Sequence, residues 1–166
     1  MPSGQPHPLP DDPTLAGVWR RLAAFVLDVL VLLPPLGFLG WVWVRLFEVA
    51  LPSSTLPLYD YLVQLHLQGD PLVVGGLVFG AAVAGVYFLI GHVIWSSTVG
   101  MRTLGLVVVD KRGEKPGAGV CTARILGAGL CVAYFGLGFV WTAFDNRRQG
   151  LHDKIADTLV IHRKTR

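Results

Sequence analysis

Three long apolar stretches constrain this chain more than any other feature: residues 22–44, 72–95 and 120–144. A helix that crosses the hydrocarbon core of a bilayer needs about 20 apolar residues, and each stretch is long enough. Only 15% of the residues are charged, against about 25% in a soluble domain, so the chain has too little polar surface for water. The sequence therefore predicts an all-α membrane protein with two transmembrane helices and a third apolar stretch.

The N-terminal part of the chain divides into a tail and a membrane domain. Residues 1–17 are rich in proline and polar side chains, a composition that does not form a packed core. We therefore predict a disordered tail over residues 1–17 and a single membrane domain over residues 18–166. The first apolar stretch is predicted to remain as an anchor, because the core of a cleaved signal peptide is only about 7–15 residues long.

Lysine and arginine are distributed unevenly between the apolar stretches. Residues 96–119 carry four of them and the segment from residue 145 onwards carries six, whereas residues 45–71 carry one. Short cytoplasmic loops of membrane proteins collect lysine and arginine. The counts predict that the N-terminus, residues 96–119 and the C-terminal tail all lie on the cytoplasmic side.

Two short segments rich in β-branched residues predict a small cytoplasmic β-ribbon. They are GLVVVD at residues 105–110 and TLVIH at residues 158–162, both with turn residues beside them. Partner strands must lie on one side of the membrane, so the tail returns to the cytoplasm. The third apolar stretch is then a re-entrant or interfacial helical hairpin, with arms at about residues 120–132 and 138–144. The alternative is a third span.

An acidic residue, Asp28, stands inside the first apolar stretch. An aspartate near the middle of a spanning helix costs about 2.5–3.5 kcal/mol on insertion scales, so its carboxylate must face protein or water. Arg21 precedes it by seven residues, which is too far for a direct pair, so water or a third group must bridge the two side chains. The basic residues on offer are Arg102, Arg124, Arg147, Arg148 and Lys154.

We predict that Asp28 is held in a buried polar cluster with Arg21 and a basic residue around Arg147 or Arg148. An unpaired carboxylate at that depth would be costly, and such a cluster would fix how the helices dock. The alternative is that Asp28 forms an ion or proton site.

The second apolar stretch contains the sequence GGLVFGAAVAG, in which Gly76 and Gly80 form a GxxxG pattern. Small residues at this spacing let another helix approach closely. Gly76 and Gly80 are therefore predicted to pack against a helix of this chain or of another. The pattern favours a homo-oligomer or a membrane partner protein. Cys121 and Cys131 are predicted to be buried free thiols.

Three ordered blocks resemble the RDD family of small bacterial integral membrane proteins, named for one arginine and two aspartates. They are RLAAFVLD, which holds Arg21 and Asp28, then STVGMRTLGLVVVD from residue 97, and FDNRRQGLHDKIADTLVI from residue 144. The resemblance assigns the arginine to Arg21, the first aspartate to Asp28 and the second to Asp153, with Asp145 as the other candidate. It also implies a location in the bacterial cytoplasmic (inner) membrane.

One position departs from the family pattern. Met101 stands where the family usually has a lysine, so any role of a basic residue there falls to Arg102. Some members of the family have been linked to sodium/proton exchange, so the resemblance implies a class of protein more firmly than an activity.

No enzyme motif occurs in the sequence. HExxH, GxSxG and a Walker loop are all absent, and nothing predicts a catalytic residue, a metal ligand or a cofactor. The basic tail is expected to meet anionic lipid headgroups at the bilayer and not nucleic acid. We therefore expect a non-catalytic membrane scaffold or accessory subunit. The alternative is an oligomeric ion transport protein of the sodium/proton exchange type that uses Asp28.

Overall fold

The structure, a computed structural model, describes residues 15–49, 57, 59–60, 63–64, 70–133, 138, 141–143, 145 and 148–162. Two long helices, α1 (Val18–Leu46) and α2 (Pro71–Trp95), precede a short helix α3 (Val99–Thr103) and strand β1 (Leu106–Asp110). Helix α4 (Ala118–Ala133), a 3-10 turn (Trp141–Ala143), helix α5 (Leu151–Ile155) and strand β2 (Thr158–His162) follow. The described part of the chain is mostly helical, with one two-stranded antiparallel sheet.

Helices α1 and α2 have the length and composition of membrane spans. They contain 29 and 25 residues. Their large apolar side chains point outward: Leu30, Leu33 and Leu77 are all more than half exposed. A soluble protein would bury most such side chains in its core, whereas lipid solvates them. The two predicted spans are confirmed as long apolar helices, and α1 continues through Pro34 and Pro35.

The chain forms two compact units. One unit, which we call the ribbon unit, consists of Met1–Val31 and Tyr87–Arg166; the other, the helical unit, consists of Leu32–Val86. The ribbon unit holds the N-terminal part of α1, the C-terminal part of α2 and all later elements. Its apolar core is formed by Ala16, Ala24, Met101, Leu106, Val108 and Val160.

Strands β1 and β2 form the predicted ribbon. They pair antiparallel over their full length, with Val108 opposite Val160. The chain just before α1 adds to this ribbon, because Leu15 bridges Ile161 and the N–H of Ala16 donates to the carbonyl of Val160 at 2.9 Å. Ala16 is fully buried. The end of the segment predicted as a tail therefore packs against β2, while the rest of that segment lies outside the described residues.

The third apolar stretch is not one straight helix. Helix α4 has 16 residues, about 24 Å, which is shorter than the roughly 30 Å of a hydrocarbon core. Gly138 lies against the end of α4: a Cβ atom there would be 2.9 Å from the Cβ of Cys131 and 3.3 Å from that of Leu151. In a continuous helix residues 131 and 138 would be about 10 Å apart along the axis, so Cys131 and Gly138 do not lie in one continuous helix.

In the helical unit, Trp43 covers one side of α2. Its indole N–H donates to the carbonyl of Leu72 at 2.9 Å, and its ring stacks on Phe79 at 5.5 Å. A Cβ atom on Gly76 would lie 3.0 Å from this indole, whereas one on Gly80 would meet no described residue within 4 Å. Gly76 thus accommodates a tryptophan side chain of the same chain, and the surface at Gly80 is open among the described residues.

These contacts predict different outcomes for two glycine substitutions. Gly76→Ile should displace Trp43 and cost about 1–3 kcal/mol, the usual range for overpacking. Gly80→Ile should leave the fold of a single chain intact, because the new side chain enters open space. Thermal unfolding and the near-ultraviolet circular dichroism of tryptophan in detergent would measure the difference. Equal destabilisation by both changes would contradict this assignment, and a lower particle mass after Gly80→Ile alone would reveal a second chain at that surface.

Candidate functional site: two aspartate clusters

Asp28 lies in the ribbon unit with its side chain almost completely buried. Three neutral groups donate hydrogen bonds to its carboxylate: the Tyr87 hydroxyl at 2.6 Å, the Thr98 hydroxyl at 2.5 Å and the Gly100 N–H at 2.7 Å. No lysine, arginine or histidine among the described residues forms an ion pair with Asp28. The acid inside the apolar helix is therefore held by uncharged donors.

The groups around Asp28 also complete the first turn of α3. The N–H groups of a first turn have no partner inside the helix. The Tyr87 hydroxyl accepts from Val99 N–H at 3.3 Å, and the Thr98 hydroxyl accepts from Met101 N–H at 3.3 Å. Both hydroxyls donate their own proton onward to Asp28. The hydrogen bonds from the N–H groups of Val99, Gly100 and Met101 thus all lead to the Asp28 carboxylate, directly or through a hydroxyl. A carboxylate can end such chains because it has acceptor oxygens and no donor.

Gly100 allows α3 to reach α1. A Cβ atom on Gly100 would lie 3.0 Å from the carbonyl carbon of Ala24 and 3.0 Å from Asp28 Cγ, and it would overlap the carbonyl oxygen of Ala24. Only glycine fits against the backbone of Ala24 and the side chain of Asp28 at this distance. The close approach is what brings the Gly100 N–H within hydrogen-bond distance of the carboxylate.

Asp153, in α5, forms the second cluster and is fully buried. Arg21 donates to its Oδ2 at 2.6 Å, and Arg124 donates to its Oδ1. The N–H of Gly150 also donates to Oδ2, at 3.0 Å, as is typical of an acidic residue in the first turn of a helix. Since the guanidinium groups come from α1 and α4, this carboxylate joins three elements that are distant in the sequence.

The second cluster also holds the ribbon in place. Arg124 donates to the hydroxyl of Thr158, the first residue of β2, at 2.6 Å. The side-chain amide of Gln149 donates to the carbonyl of Thr158 at 2.9 Å. Thr158 is fully buried, so these contacts fix the start of β2 against α4.

Burial and charge act in opposite directions on the pKa of Asp153. Burial alone would raise this pKa, but the guanidinium group of Arg124, the His152 imidazolium that forms in acid, the guanidinium group of Arg21 and the Gly150 N–H lower it to about 2. The pKa of the neighbouring His152 is lowered to about 4, mainly by burial, and Asp153 only partly opposes that effect. At neutral pH the cluster therefore holds one carboxylate, a neutral imidazole and two guanidinium groups.

Acidification should destabilise the protein through His152. The imidazole takes up a proton near pH 6.5 in the unfolded chain but only near pH 4 in the folded protein. Between these values the unfolded state binds more protons, so the free energy of unfolding falls as the pH falls, by about 3 kcal/mol in total. Asp153 adds a further loss below its usual pKa of 3.8, as it becomes protonated towards pH 2.

Thermal unfolding in detergent between pH 7 and pH 4.5 measures this effect. His152→Gln should lose less stability over that interval than the unsubstituted protein, because glutamine does not titrate. Parallel pH curves for the two proteins would show that His152 contributes nothing to the pH dependence.

The structure separates residues that the sequence placed in one cluster. Arg21 pairs with Asp153, while Asp28 is held by neutral groups, so the family arginine and the first aspartate belong to different sites. The physical reason is direction: side chains on a helix tilt towards its N-terminus. Arg21 therefore extends towards the ribbon and away from Asp28, which lies two turns further along α1.

The remaining predicted residues have other partners. Arg148 donates to the carbonyl of Leu15 at 3.3 Å and lies exposed, and Arg147 is outside the described residues. Asp145 accepts from the ammonium group of Lys154 at 2.5 Å. Of the two candidates for the second aspartate, the structure thus joins Asp153 to the arginine.

Several cluster residues are not predicted from the sequence. Tyr87 carries no signal, because tyrosine is common near the ends of membrane helices. Thr98 and Gly100 lie in the second sequence block, but nothing in that block reveals that they face Asp28. Arg124 is visible as a charge in an apolar stretch, yet the sequence suggests it only as a partner for Asp28.

The arrangement offers no metal site within the part of the chain that the structure describes. No group of three or more His, Cys, Asp or Glu side chains there could hold a metal ion. Cys121 and Cys131 are buried and free, as predicted. What the two clusters do chemically is to dock segments: Asp28 docks α3 on α1 and α2, and Asp153 docks α5 and β2 on α1 and α4.

Two apolar helices with a β-ribbon fixed at one end by buried aspartates define a small membrane protein. The sequence profile of the RDD family matches residues 15–157, and the chain belongs to this family. It is 29% identical over 152 residues to the uncharacterized protein YxaI of Bacillus subtilis (strain 168), an alignment that covers 89% of this chain and 97% of the relative. No solved structure matches the chain. The resemblance predicted from three sequence blocks is confirmed.

Proposed function

We propose that the protein is a non-catalytic scaffold or accessory subunit of the bacterial cytoplasmic membrane. The observation that carries this proposal is that the carboxylate oxygens of both buried aspartates accept hydrogen bonds from other groups of the protein. Asp28 accepts from three protein donors, and Asp153 accepts from two guanidinium groups and a backbone N–H. A carboxylate that takes up ions needs a free coordination position, and these two side chains are 2% and 0% exposed.

We also propose that both ends of the chain lie in the cytoplasm. The pairing of β1 with β2 supports this, because strands of one sheet lie on the same side of a membrane. The bridge between Leu15 and Ile161 places the start of α1 beside the same ribbon. The high lysine and arginine content of residues 96–119 and of the tail favours the cytoplasmic side.

A scaffold needs something to hold, and we propose a second copy of the chain or another membrane protein. The apolar side chains that point outward from α1 and α2 provide a surface for it, and the open side of Gly80 suits close helix packing. The basic segments of the ribbon unit suit anionic lipid headgroups better than nucleic acid, because they adjoin the ends of the membrane helices.

One observation favours the second candidate function, ion transport. Asp28 has no ion pair among the described residues, so its carboxylate is the group whose charge a sodium ion or proton would balance. For this function the hydroxyls of Tyr87 and Thr98 would have to turn away and open the site. An oligomer would also be needed, because two spans do not enclose a path.

Flux measurements in reconstituted vesicles test the two functions. We expect no sodium-dependent proton flux from the unsubstituted protein, and none from Asp28→Asn or from the matched control Asp157→Asn, whose carboxylate is exposed. Folding of each protein would be verified by circular dichroism. Flux that persists in Asp157→Asn but disappears in folded Asp28→Asn would overturn the scaffold proposal and establish transport.

A further inference from the structure

The helices α4 and α5 have one buried side and one exposed apolar side. On α4, Cys121, Arg124 and Cys131 are buried at helical spacing. The opposite side carries Leu126 and Leu130, which are 66% and 55% exposed. Leu151, Ile155 and the nearby Trp141 are exposed to a similar extent. Water would not favour so many large apolar side chains on two short helices, so this surface has a partner.

The level of α4 relative to the spans follows from two contacts in the ribbon unit. Near its start, Lys115 donates to the carbonyl of Ile94, in the last turn of α2, at 2.9 Å. In its middle, Arg124 shares the carboxylate of Asp153 with Arg21, in the first turn of α1. Both contacts are at the ends of the long helices, so the first half of α4 lies at the level of those helix ends.

The second half of α4 packs against α5. A Cβ atom on Gly127 would lie 3.1 Å from the Cα of His152, and Gly138 lies against both Cys131 and Leu151. Helix α5 therefore covers α4 along its last turns, and only two residues separate α5 from β2. If the end of α4 enters a bilayer, it enters no deeper than the length of these last turns.

Basic side chains accompany the aromatic residues at this level. The guanidinium group of Arg102 lies 5.3 Å from the ring centre of Trp95, the last residue of α2, and Lys115 binds the preceding carbonyl. The ammonium group of Lys154 lies 5.6 Å from the ring centre of Trp141, although it also pairs with Asp145. Tryptophan favours the headgroup level of a membrane, and lysine and arginine attract anionic lipids there.

We propose that α4 and α5 lie within the interface of a bilayer that contains anionic lipids. Their exposed leucine and isoleucine side chains contact the upper part of the acyl chains, and Arg102 and Lys115, beside Trp95, bind lipid phosphate. The partner is the bilayer of the cell membrane itself, because the basic and aromatic residues surround the ends of the spans. This inference holds for a scaffold and for a transporter alike.

Spin-label depth measurements test the position of α4. In a variant with Cys121 and Cys131 replaced by alanine, single cysteines at Leu126 and Leu130 would carry a nitroxide in nanodiscs. Both labels should lie about 5–10 Å below the phosphates, the usual depth of an interfacial helix. A label at Leu30, an exposed residue of α1, serves as the deep reference.

Two outcomes would overturn the proposal. Labels at Leu126 and Leu130 that reach the depth of Leu30 would show a spanning or deeply re-entrant helix. Labels that respond only to the water-soluble relaxation agent would show that solvent, and not lipid, faces α4. A label at Ile155 repeats the test on α5 if a variant of α4 does not fold.

Lipid selectivity tests the headgroup contact independently. Spin-labelled phosphatidylglycerol should associate more strongly than phosphatidylcholine, and Arg102→Gln or Lys115→Gln should reduce that preference by up to about fivefold at the site. Arg112→Gln, which removes an exposed charge from the turn after β1, is the matched control and should change it little. Equal effects of Arg102→Gln and Arg112→Gln, or no preference at all, would remove Arg102 and Lys115 from the lipid site.

Discussion

Gly100→Ala, in α3, should destabilise the protein strongly although it adds only one methyl group. The added Cβ would overlap the carbonyl oxygen of Ala24 and lie 3.0 Å from Asp28 Cγ, and backbone atoms cannot rotate away as a side chain can. Overpacking of side chains costs about 1–3 kcal/mol, and we expect a loss beyond that range because α3 must separate from α1. A loss of this size is a large part of a stability of about 5–15 kcal/mol.

The measurement is thermal or denaturant unfolding in a fixed detergent. Gly129→Ala is the matched control: it lies in α4, its Cβ would meet none of the described residues within 4 Å, and alanine favours a helix over glycine by about 0.5–1 kcal/mol. We expect the control to be as stable as the unsubstituted protein or slightly more so. Similar unfolding temperatures for Gly100→Ala and Gly129→Ala would show that α3 does not contact α1 so closely.

Asp153→Asn should be the most damaging loss of a charge. It leaves the guanidinium groups of Arg21 and Arg124 buried without a carboxylate, and removing one partner of a buried ion pair costs about 3–5 kcal/mol. Asp28→Asn should cost less, about 1–3 kcal/mol, because its partners are neutral and a hydroxyl can turn to accept from an amide.

Two further variants test the physical reason for this order. Asp157→Asn, which breaks an exposed pair with Lys111, should change stability by about 1 kcal/mol or less. Adding Arg124→Met to Asp153→Asn should restore part of the lost stability, since it removes one of the uncompensated charges. If Asp28→Asn proves more destabilising than Asp153→Asn, the ionic cluster around Asp153 contributes less stability than the neutral cluster around Asp28.

The elements of this fold follow from the sequence where hydropathy decides them. Helices α1 and α2 are long apolar runs, and the ribbon consists of two β-branched segments, so each can be predicted alone. The glycines at 136 and 138 also indicate that the third apolar stretch is interrupted, and Gly138 lies against Cys131 as no continuous helix would allow. Side-chain partners are different: they depend on which elements meet, and neither apolar periodicity nor charge count contains that information.

The partner of Arg21 illustrates the difficulty. In the sequence the nearest carboxylate inside the membrane domain is that of Asp28. Because an unpaired carboxylate in an apolar helix is costly, the sequence suggests that Arg21 belongs to the cluster of Asp28. In the structure Arg21 reaches Asp153 because the fold brings α5 to the start of α1. Asp28 instead finds the hydroxyls of Tyr87 and Thr98, which leave no trace in a sequence because uncharged donors are common everywhere.

The pairing of Arg21 with Asp153 has a consequence for the order in which the protein matures. The two residues are 132 positions apart, so a ribosome completes both long helices before it delivers this carboxylate. Until then Arg21 and Arg124 carry uncompensated charges, and β1 presents an edge without its neighbour. Final closure of the ribbon unit is therefore a late event in biosynthesis. A nascent chain interrupted before α5 would retain both membrane anchors while displaying an unfinished surface to chaperones and proteases.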